Sequence, residues 1–396
     1  MRRNESLAAD GLAPAGAVQQ DSAPQGQRWL PAAFARWLQS LAALALLRRL
    51  PGRRLRMAAL LGLAVALAWI WVNSYVVSFS GHMDSCCVSD WLISYAGGFV
   101  RRGLAGTAIL AASEAIGISP RVALLLILGC AYLAIFLPLA VIVLRARDLT
   151  LLDLLLVLSP FAALFPVFHQ IAGQRKEVLL LAAAGIAYLT DLGRLDGIFK
   201  QLLWGMLLAV IVAAHDALFF CLPLFVLYLE LLTPAAHRPR RGAILFILAP
   251  AAAVFLVGYA RSGHADLGAI CAAMERAAQG AWCTPHSSGE FIYASSWLQA
   301  RAIDGIRSVA ARYSTLSAVR TLLIGTLGIV PVAVAFTGES AARATLRELP
   351  QSRWFCAAAV IGVLLLFVVA SDWNRWFYIT TSLITMMYFA ARRARA

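Results

Sequence analysis

The sequence predicts an all-α polytopic membrane protein with about ten transmembrane helices and further juxtamembrane helices on the outer side. Three observations carry that expectation. Of 396 residues, 61% are hydrophobic and 14% charged, with a mean hydropathy of +0.76, a balance foreign to soluble globular domains. Apolar runs approaching the ~20 residues that cross a bilayer recur along the chain. They are continuous and rich in Leu, Ala and Val rather than alternating, which argues against a β-barrel. The formal net charge of +14 would suggest nucleic acid in a soluble protein. Here the excess lies in short segments between apolar runs, where it sets orientation, and no nucleic-acid partner is expected.

In chain order, residues 1–56 read as a largely disordered basic cytoplasmic tail, with Arg48, Arg49, Arg53, Arg54 and Arg56 near its end. A weakly amphipathic stretch at 29–50 is suited to lying on the inner leaflet. The transmembrane domain is expected over 57–391. Spans are predicted at about 57–79, 120–145, 150–168, 177–191, 200–214, 217–233, 243–260, 317–337, 354–370 and 375–391. Arginines in the tail, at Arg145–Arg147, at Arg238, Arg240 and Arg241, at 343–353 and in the basic end 392–396 place both termini in the cytoplasm. The outer segments are then 80–119, 169–176, 215–216, 261–316 and 371–374.

Cysteine placement agrees with that orientation. Cys130, Cys221 and Cys356 fall in spans, whereas Cys86, Cys87, Cys271 and Cys283 fall in outer loops, an even number in an oxidising compartment. A Cys271–Cys283 bridge is the natural pairing. His82, Cys86 and Cys87 match no usual zinc spacing, so no metal site is assigned.

Polar residues collect on the outer side in four segments. The first, 84–103 (DSCCVSDWLISYAGGFVRRG), carries Asp84, Asp90, Tyr95, Gly97, Gly98, Arg101 and Arg102. The second, HQIAGQRKE, carries His169, Gln174, Arg175, Lys176 and Glu177; the third is His215-Asp216; the fourth, SDWNRW, carries Asp372 and, between Trp373 and Trp376, Arg375. Taken singly, each has an ordinary explanation. Arginines anchor helices at headgroups, tryptophans sit at interfaces, Arg175 to Glu177 suits a helix start, and His215-Asp216 suits a satisfied buried pair. Together they are harder to dismiss, because ionisable groups at membrane depth require partners or a function.

Arg101, Arg102, Arg175, Lys176 and Arg375 would form a cationic pocket at headgroup level, with guanidinium forks matched to phosphate oxygens. On the outer leaflet of a bacterial inner membrane the corresponding anions are polyprenyl phosphates and their sugar esters. Asp84, Asp90, Asp216, Glu177 and Asp372 supply candidate general bases beside that pocket, with His215 as a further catalytic candidate. No P-loop or HExxH motif occurs, so cytosolic energy coupling and zinc proteolysis lack support.

The basic inner tail, the first span and an outer loop with Asp84 and Asp90, followed by an amphipathic stretch at 101–118, resemble polytopic glycosyltransferases of the GT-C type. The motifs YAGGFVRRGL, QRKE, HD and DWNRW are also similar to bacterial integral membrane proteins placed near that superfamily. The resemblance covers 57–391 in layout and only these motifs in sequence. It implies a GT-C-like fold, a polyprenyl-phosphate-sugar donor, an active site on the periplasmic face, and a catalytic acid in the first outer loop. By carry-over Asp90 is the first candidate base and Asp84 the second. Many such enzymes carry adjacent acids there, whereas these two lie six apart, which leaves the base and any divalent cation open. His169, Gln174, Tyr95, Glu177 and Asp372 would support the site, and the acceptor would be a glycan, a lipid or a protein. The alternatives are an O-antigen-type polymerase or ligase and a lipid-linked-glycan transporter or flippase.

Overall fold

The computed structural model describes residues 52–79, 85–146, 149–169, 172–239, 241–278, 302–339, 348–349, 352–370 and 372–393. All regular elements among them are helical. The expected tail over residues 1–51, Asp84 and Cys283 lie outside the described residues.

Helix α1 (Gly52–Phe79) carries Ala59, Leu63, Ala66 and Ile70 on its buried side and exposes Leu61, Val65, Trp69 and Val72. This is the pattern of a helix with one face on protein and the other on lipid. Next come α2 (Ser85–Leu92) and α3 (Gly103–Ile116), the latter where an amphipathic stretch was expected. α3 stops at Gly117, whose φ of 74° lets its N–H reach the Ser113 carbonyl, a left-handed terminus that glycine adopts readily. α4 (Pro120–Arg145) starts on a Ser119 cap, with the hydroxyl accepting from the Val122 N–H and Pro120 in the first turn, as expected at a helix start.

The segment 150–168 is not one span. It divides into α5 (Leu151–Val157) and α6 (Phe165–Phe168). Pro160 offers no N–H and disfavours helical geometry at Ser159. The Ser159 hydroxyl accepts from the Phe161 N–H, and its carbonyl accepts from Ala162 and Leu164, closing a turn instead of a helix. Counting apolar residues cannot register that break.

α7 (Val178–Leu189) follows, with 12 residues, then α8 (Ile198–Ala214) with 17 and α9 (Leu222–Leu232) with 11. At 1.5 Å per residue α7 and α9 reach only roughly 17–18 Å. α9 is preceded by a 3₁₀ turn over Asp216–Cys221, so the expected span at 217–233 also begins in a different geometry. α7 lies close against α4 because Gly185 meets the Ala134 carbonyl with no room for a side chain. α9 is buried on nearly every side, the signature of a central helix.

The chain continues through α10 (Arg241–Arg261), α11 (Leu267–Ala278), α12 (Ala302–Arg312), α13 (Thr315–Gly338), α14 (Ser352–Val369) and α15 (Trp373–Arg393). Among the described residues, four helices are long and apolar enough to cross a membrane: Arg53–Val76, Pro120–Arg145, Gly242–Arg261 and Thr315–Gly338. Gly103–Ile116, Val178–Leu189, Ile198–Ala214 and Arg353–Val369 are apolar but shorter.

Two polar clusters mark the ends of α15. At its C-terminal end Arg392 pairs with Asp153 at 2.7 Å and with Glu339 at 3.7 Å, and the Tyr388 hydroxyl donates to Glu339 at 2.6 Å. Arg393 donates to the Tyr188 carbonyl and lies over its ring. Asp153 also closes a reciprocal cap with Thr150 at the start of α5. Expected only as a basic end, Arg392 and Arg393 therefore join α5, α7, α13 and α15. Arg392→Ala should lower stability by about 1–3 kcal/mol, below the range for fully buried pairs because Arg392 is 35% exposed. Thermal unfolding in detergent measures the loss, and Arg261→Ala, on an exposed arginine, serves as the reference.

Candidate functional site

The other cluster lies at the N-terminal end of α15. Arg375 and Arg392 are 17 residues apart on that helix, roughly 26 Å at 1.5 Å per residue. Short helices build it: α7 begins beside Lys176-Glu177, α8 ends at Ala214 just before His215, and the 3₁₀ turn starts at Asp216. Each of these termini delivers charge to the same place.

Arg102 is the centre of one half. Its φ is 68°, the one positive value on a non-glycine residue among the described residues, a conformation that costs about 1–3 kcal/mol and persists only where surroundings enforce it. The enforcement is visible. Arg102 Nε donates to Asp216 Oδ1 at 2.6 Å, Nη1 faces Asp90 Oδ1 at 3.7 Å, and the Lys176 ammonium donates to the Arg102 carbonyl at 2.9 Å. Arg101 reaches the second Asp216 oxygen at 3.5 Å and lies over the Tyr259 ring of α10. Asp90 is positioned by its neighbour Trp91, whose indole N–H donates to the Gln174 carbonyl at 2.6 Å.

Glu177 is the centre of the other half. His215 Nε2 lies 3.1 Å and Arg375 Nη1 2.9 Å from Glu177 Oε1. Arg375 also pairs with Asp372 at 3.0 Å, and Asp372 faces Arg312 of α12 at 3.6 Å. Trp376 meets His215 edge-on and lies under the Arg375 guanidinium. Lys176-Glu177 and His215-Asp216, two pairs of chain neighbours, connect the halves.

The structure thus brings together Asp90, Arg101, Arg102, Lys176, Glu177, His215, Asp216, Asp372 and Arg375. Arg175 is half-buried and adds to the positive field on Asp90. Gln174 contributes its carbonyl, and its buried side-chain amide has no hydrogen-bond partner among the described residues. His169 is exposed, with its ring stacked on Phe165. Tyr95 stacks on Phe99, and its backbone N–H donates to the Thr107 hydroxyl; it supports the loop and makes no ion pair. Gly97 lies against the start of α11: its carbonyl accepts from the Asp266 N–H at 2.8 Å, and a side chain there would strike Asp266. Arg312 and Tyr259 were not legible as partners, since only the fold brings them to Asp372 and Arg101. Cys271 forms a disulfide, while Cys283, its expected partner, lies outside the described residues.

The cluster is built of opposed charges rather than cations alone. Asp90, Glu177, Asp216 and Asp372 face Arg101, Arg102, Lys176 and Arg375, with Arg312 beside Asp372 and Arg175 adding to the positive field. Buried cations need counter-charge, so this compensation is the physical condition for gathering them. Burial by itself would raise the Asp90 carboxyl; Lys176 first, then Arg102, His215 and Arg175, outweigh it and hold the group below its usual range. Against the same opposition from burial, Arg102, His215 and Arg101 hold Asp216 low. Burial lowers Lys176, wholly inaccessible to solvent, to about 8, with Asp90 opposing the shift.

That shift has a testable sign. The folded value of Lys176, about 8, lies below the ordinary lysine value of 10.5, so between those values the unfolded chain binds more protons. Stability from this group therefore rises with pH across that window. Unfolding midpoints of the parent chain and Lys176→Met, measured from about pH 7.5 to 10.5, should differ in slope, with the rise missing in the variant.

Among the described residues, no group of three or more His, Cys, Asp or Glu side chains is placed to hold a metal ion. Comparisons with protein-family models, with curated proteins and with solved structures found no match.

Proposed function

We propose that the Asp90–Arg102–Lys176–Glu177–Asp216–Arg375 cluster is the site of a GT-C-like glycosyltransferase acting at the periplasmic face of a bacterial inner membrane. The donor is a polyprenyl-phosphate sugar, and the acceptor is a hydroxyl of a glycan, a lipid or a protein. One observation carries the reading: four segments far apart in the sequence place their acids and bases in direct contact at one end of the bundle. The orientation proposed with it has ten membrane passages, short or interrupted ones included, with the termini and the Arg392 cluster in the cytoplasm. Labelling cysteines introduced at Arg101 and Arg241 should then report opposite sides.

Roles follow from chemistry. Arg102 and Arg375 carry forks that match phosphate oxygens bidentately, and Lys176 and Arg101 add charge. In the resting arrangement Asp90 is ionised but weakly basic, because Lys176 and Arg102 stabilise its negative charge. A phosphate drawing on those cations would weaken that hold and raise the basicity of Asp90 towards the range useful for deprotonating an acceptor hydroxyl. As the bond to the sugar breaks, negative charge grows on the phosphate, where the guanidiniums stabilise it.

A second reading is favoured by the pairing itself. A buried network of paired charges also fastens helix ends together, as a structural lock or a transporter gate would. Arg102→Lys separates the two, since it keeps the charge and removes the fork. The transferase reading expects polyprenyl-phosphate affinity to fall on the order of tenfold with the unfolding midpoint nearly unchanged. Equal affinity in variant and parent would favour the lock.

A further inference from the structure

The charged cluster is not the only polar feature inside the bundle. Below it, between α4, α5, the turn after α5, α7 and α15, lies a small, partly open cavity of about 20 Å³. Leu139, Leu181 and Met386 contribute to its apolar walls, and the hydroxyl-bearing lining residues are Ser382 and Thr385. Steps of three and four residues put Arg375, Tyr378, Ser382 and Thr385 on one face of α15, so the cavity follows the charged cluster down that face.

The hydroxyls are the anomaly. Thr107, Thr190, Thr233 and Thr337 each donate to the carbonyl four residues earlier, the usual way a helix satisfies such a group away from water. Ser382 and Thr385 are buried and have no hydrogen-bond partner among the described residues; Thr380 and Thr381 share that state on the same helix. Leaving a buried hydroxyl unpaired is unfavourable, and Ser382 and Thr385, one turn apart, both line the cavity.

We propose that this cavity is a water-binding chamber, in which ordered water bridges the Ser382 and Thr385 hydroxyls and extends the polar environment of the charged cluster towards the centre of the bundle. The chemistry of the walls selects water over other occupants. An alkyl chain would fit the apolar lining and leave both hydroxyls unpaired. A cation would want a carboxylate, and none lines the cavity. A cavity needs roughly 10–15 Å³ to hold one water molecule, so this one has room for one, with the hydroxyls supplying donors and acceptors. The proposal stands apart from the glycosyltransferase reading and does not depend on it.

Two measurements on the full chain in detergent decide it. Thr385→Cys and Ser382→Cys are each treated with a small water-soluble methanethiosulfonate, and rates are compared with the parent chain and with Leu383→Cys. Leu383 is fully buried on the same helix and does not line the cavity. Thiolate formation needs water, so the chamber predicts reaction at least tenfold faster at 385 or 382 than at 383. Thr385→Val then reports the sign of the hydroxyl's contribution while keeping its volume. A hydrated hydroxyl predicts a lower unfolding midpoint on its removal; a dry, unpaired one predicts a rise. Labelling no faster than at Leu383→Cys overturns the proposal, as does an unchanged or raised midpoint in Thr385→Val.

Discussion

Asp216→Ala should be among the most destabilising single substitutions in the cluster, costing about 3–5 kcal/mol. It removes the carboxylate that holds Arg102 at 2.6 Å and Arg101 at 3.5 Å. Two mostly buried guanidiniums are left with less counter-charge, and the strained Arg102 backbone loses its side-chain anchor. The expected readout is a fall in unfolding midpoint on the order of 10 °C, measured in detergent against Asp196→Ala, whose surface pair with Lys200 should contribute little. Replacing both partners, with Asp216→Leu and Arg102→Met together, should recover only part of the loss, because the Arg102 guanidinium is no longer stranded while Arg101 and Asp90 each still lose a partner. A midpoint for Asp216→Ala equal to that of the surface control would remove the network from the account of stability.

Asp90→Asn should have the largest effect on turnover, lowering sugar transfer by about 10²–10⁴-fold if Asp90 is the base that deprotonates the acceptor. Its effect on stability should be smaller than that of Asp216→Ala, although the fully buried Lys176 loses its leading counter-charge. The amide keeps the shape, Arg102 retains its short contact to Asp216, and the Lys176 bond to the Arg102 carbonyl is untouched. Initial rates with a radiolabelled polyprenyl-phosphate sugar, read beside the unfolding midpoint, separate chemistry from folding. Unchanged turnover would take Asp90 out of that role and move the search to Asp216 or Asp84.

Helix positions were largely legible in the sequence, because continuous apolar runs and their basic flanks leave little choice. The expected runs at 120–145, 200–214 and 243–260 match α4, α8 and α10 to within two residues. What a hydropathy count misses is how a run is broken. Pro160 turns the chain within 150–168, and the 3₁₀ turn at Asp216–Cys221 carries His215-Asp216 into contact with Glu177 and Arg102. The polar motifs were legible as unusual, and their gathering at one end of the bundle agrees with sorting them by side. Their pairing was not legible. A count of arginines suggested a cationic pocket, whereas burial demands that each charge be met by its opposite. Arg392 illustrates the same point: read as an orienting charge, it binds Asp153 inside the bundle, a partner 239 positions away that no local pattern could announce.

The central claim is that these four segments form one site for a lipid phosphate, and a structure of the full chain with polyprenyl phosphate bound tests it most directly. The account predicts the phosphate seated between Arg102 and Arg375 within hydrogen-bonding distance of at least one guanidinium, with Lys176 turned towards it and the Arg102–Asp216 or Arg375–Glu177 pair lengthened to admit it. A phosphate bound elsewhere, with both pairs as short as they are here, would contradict it.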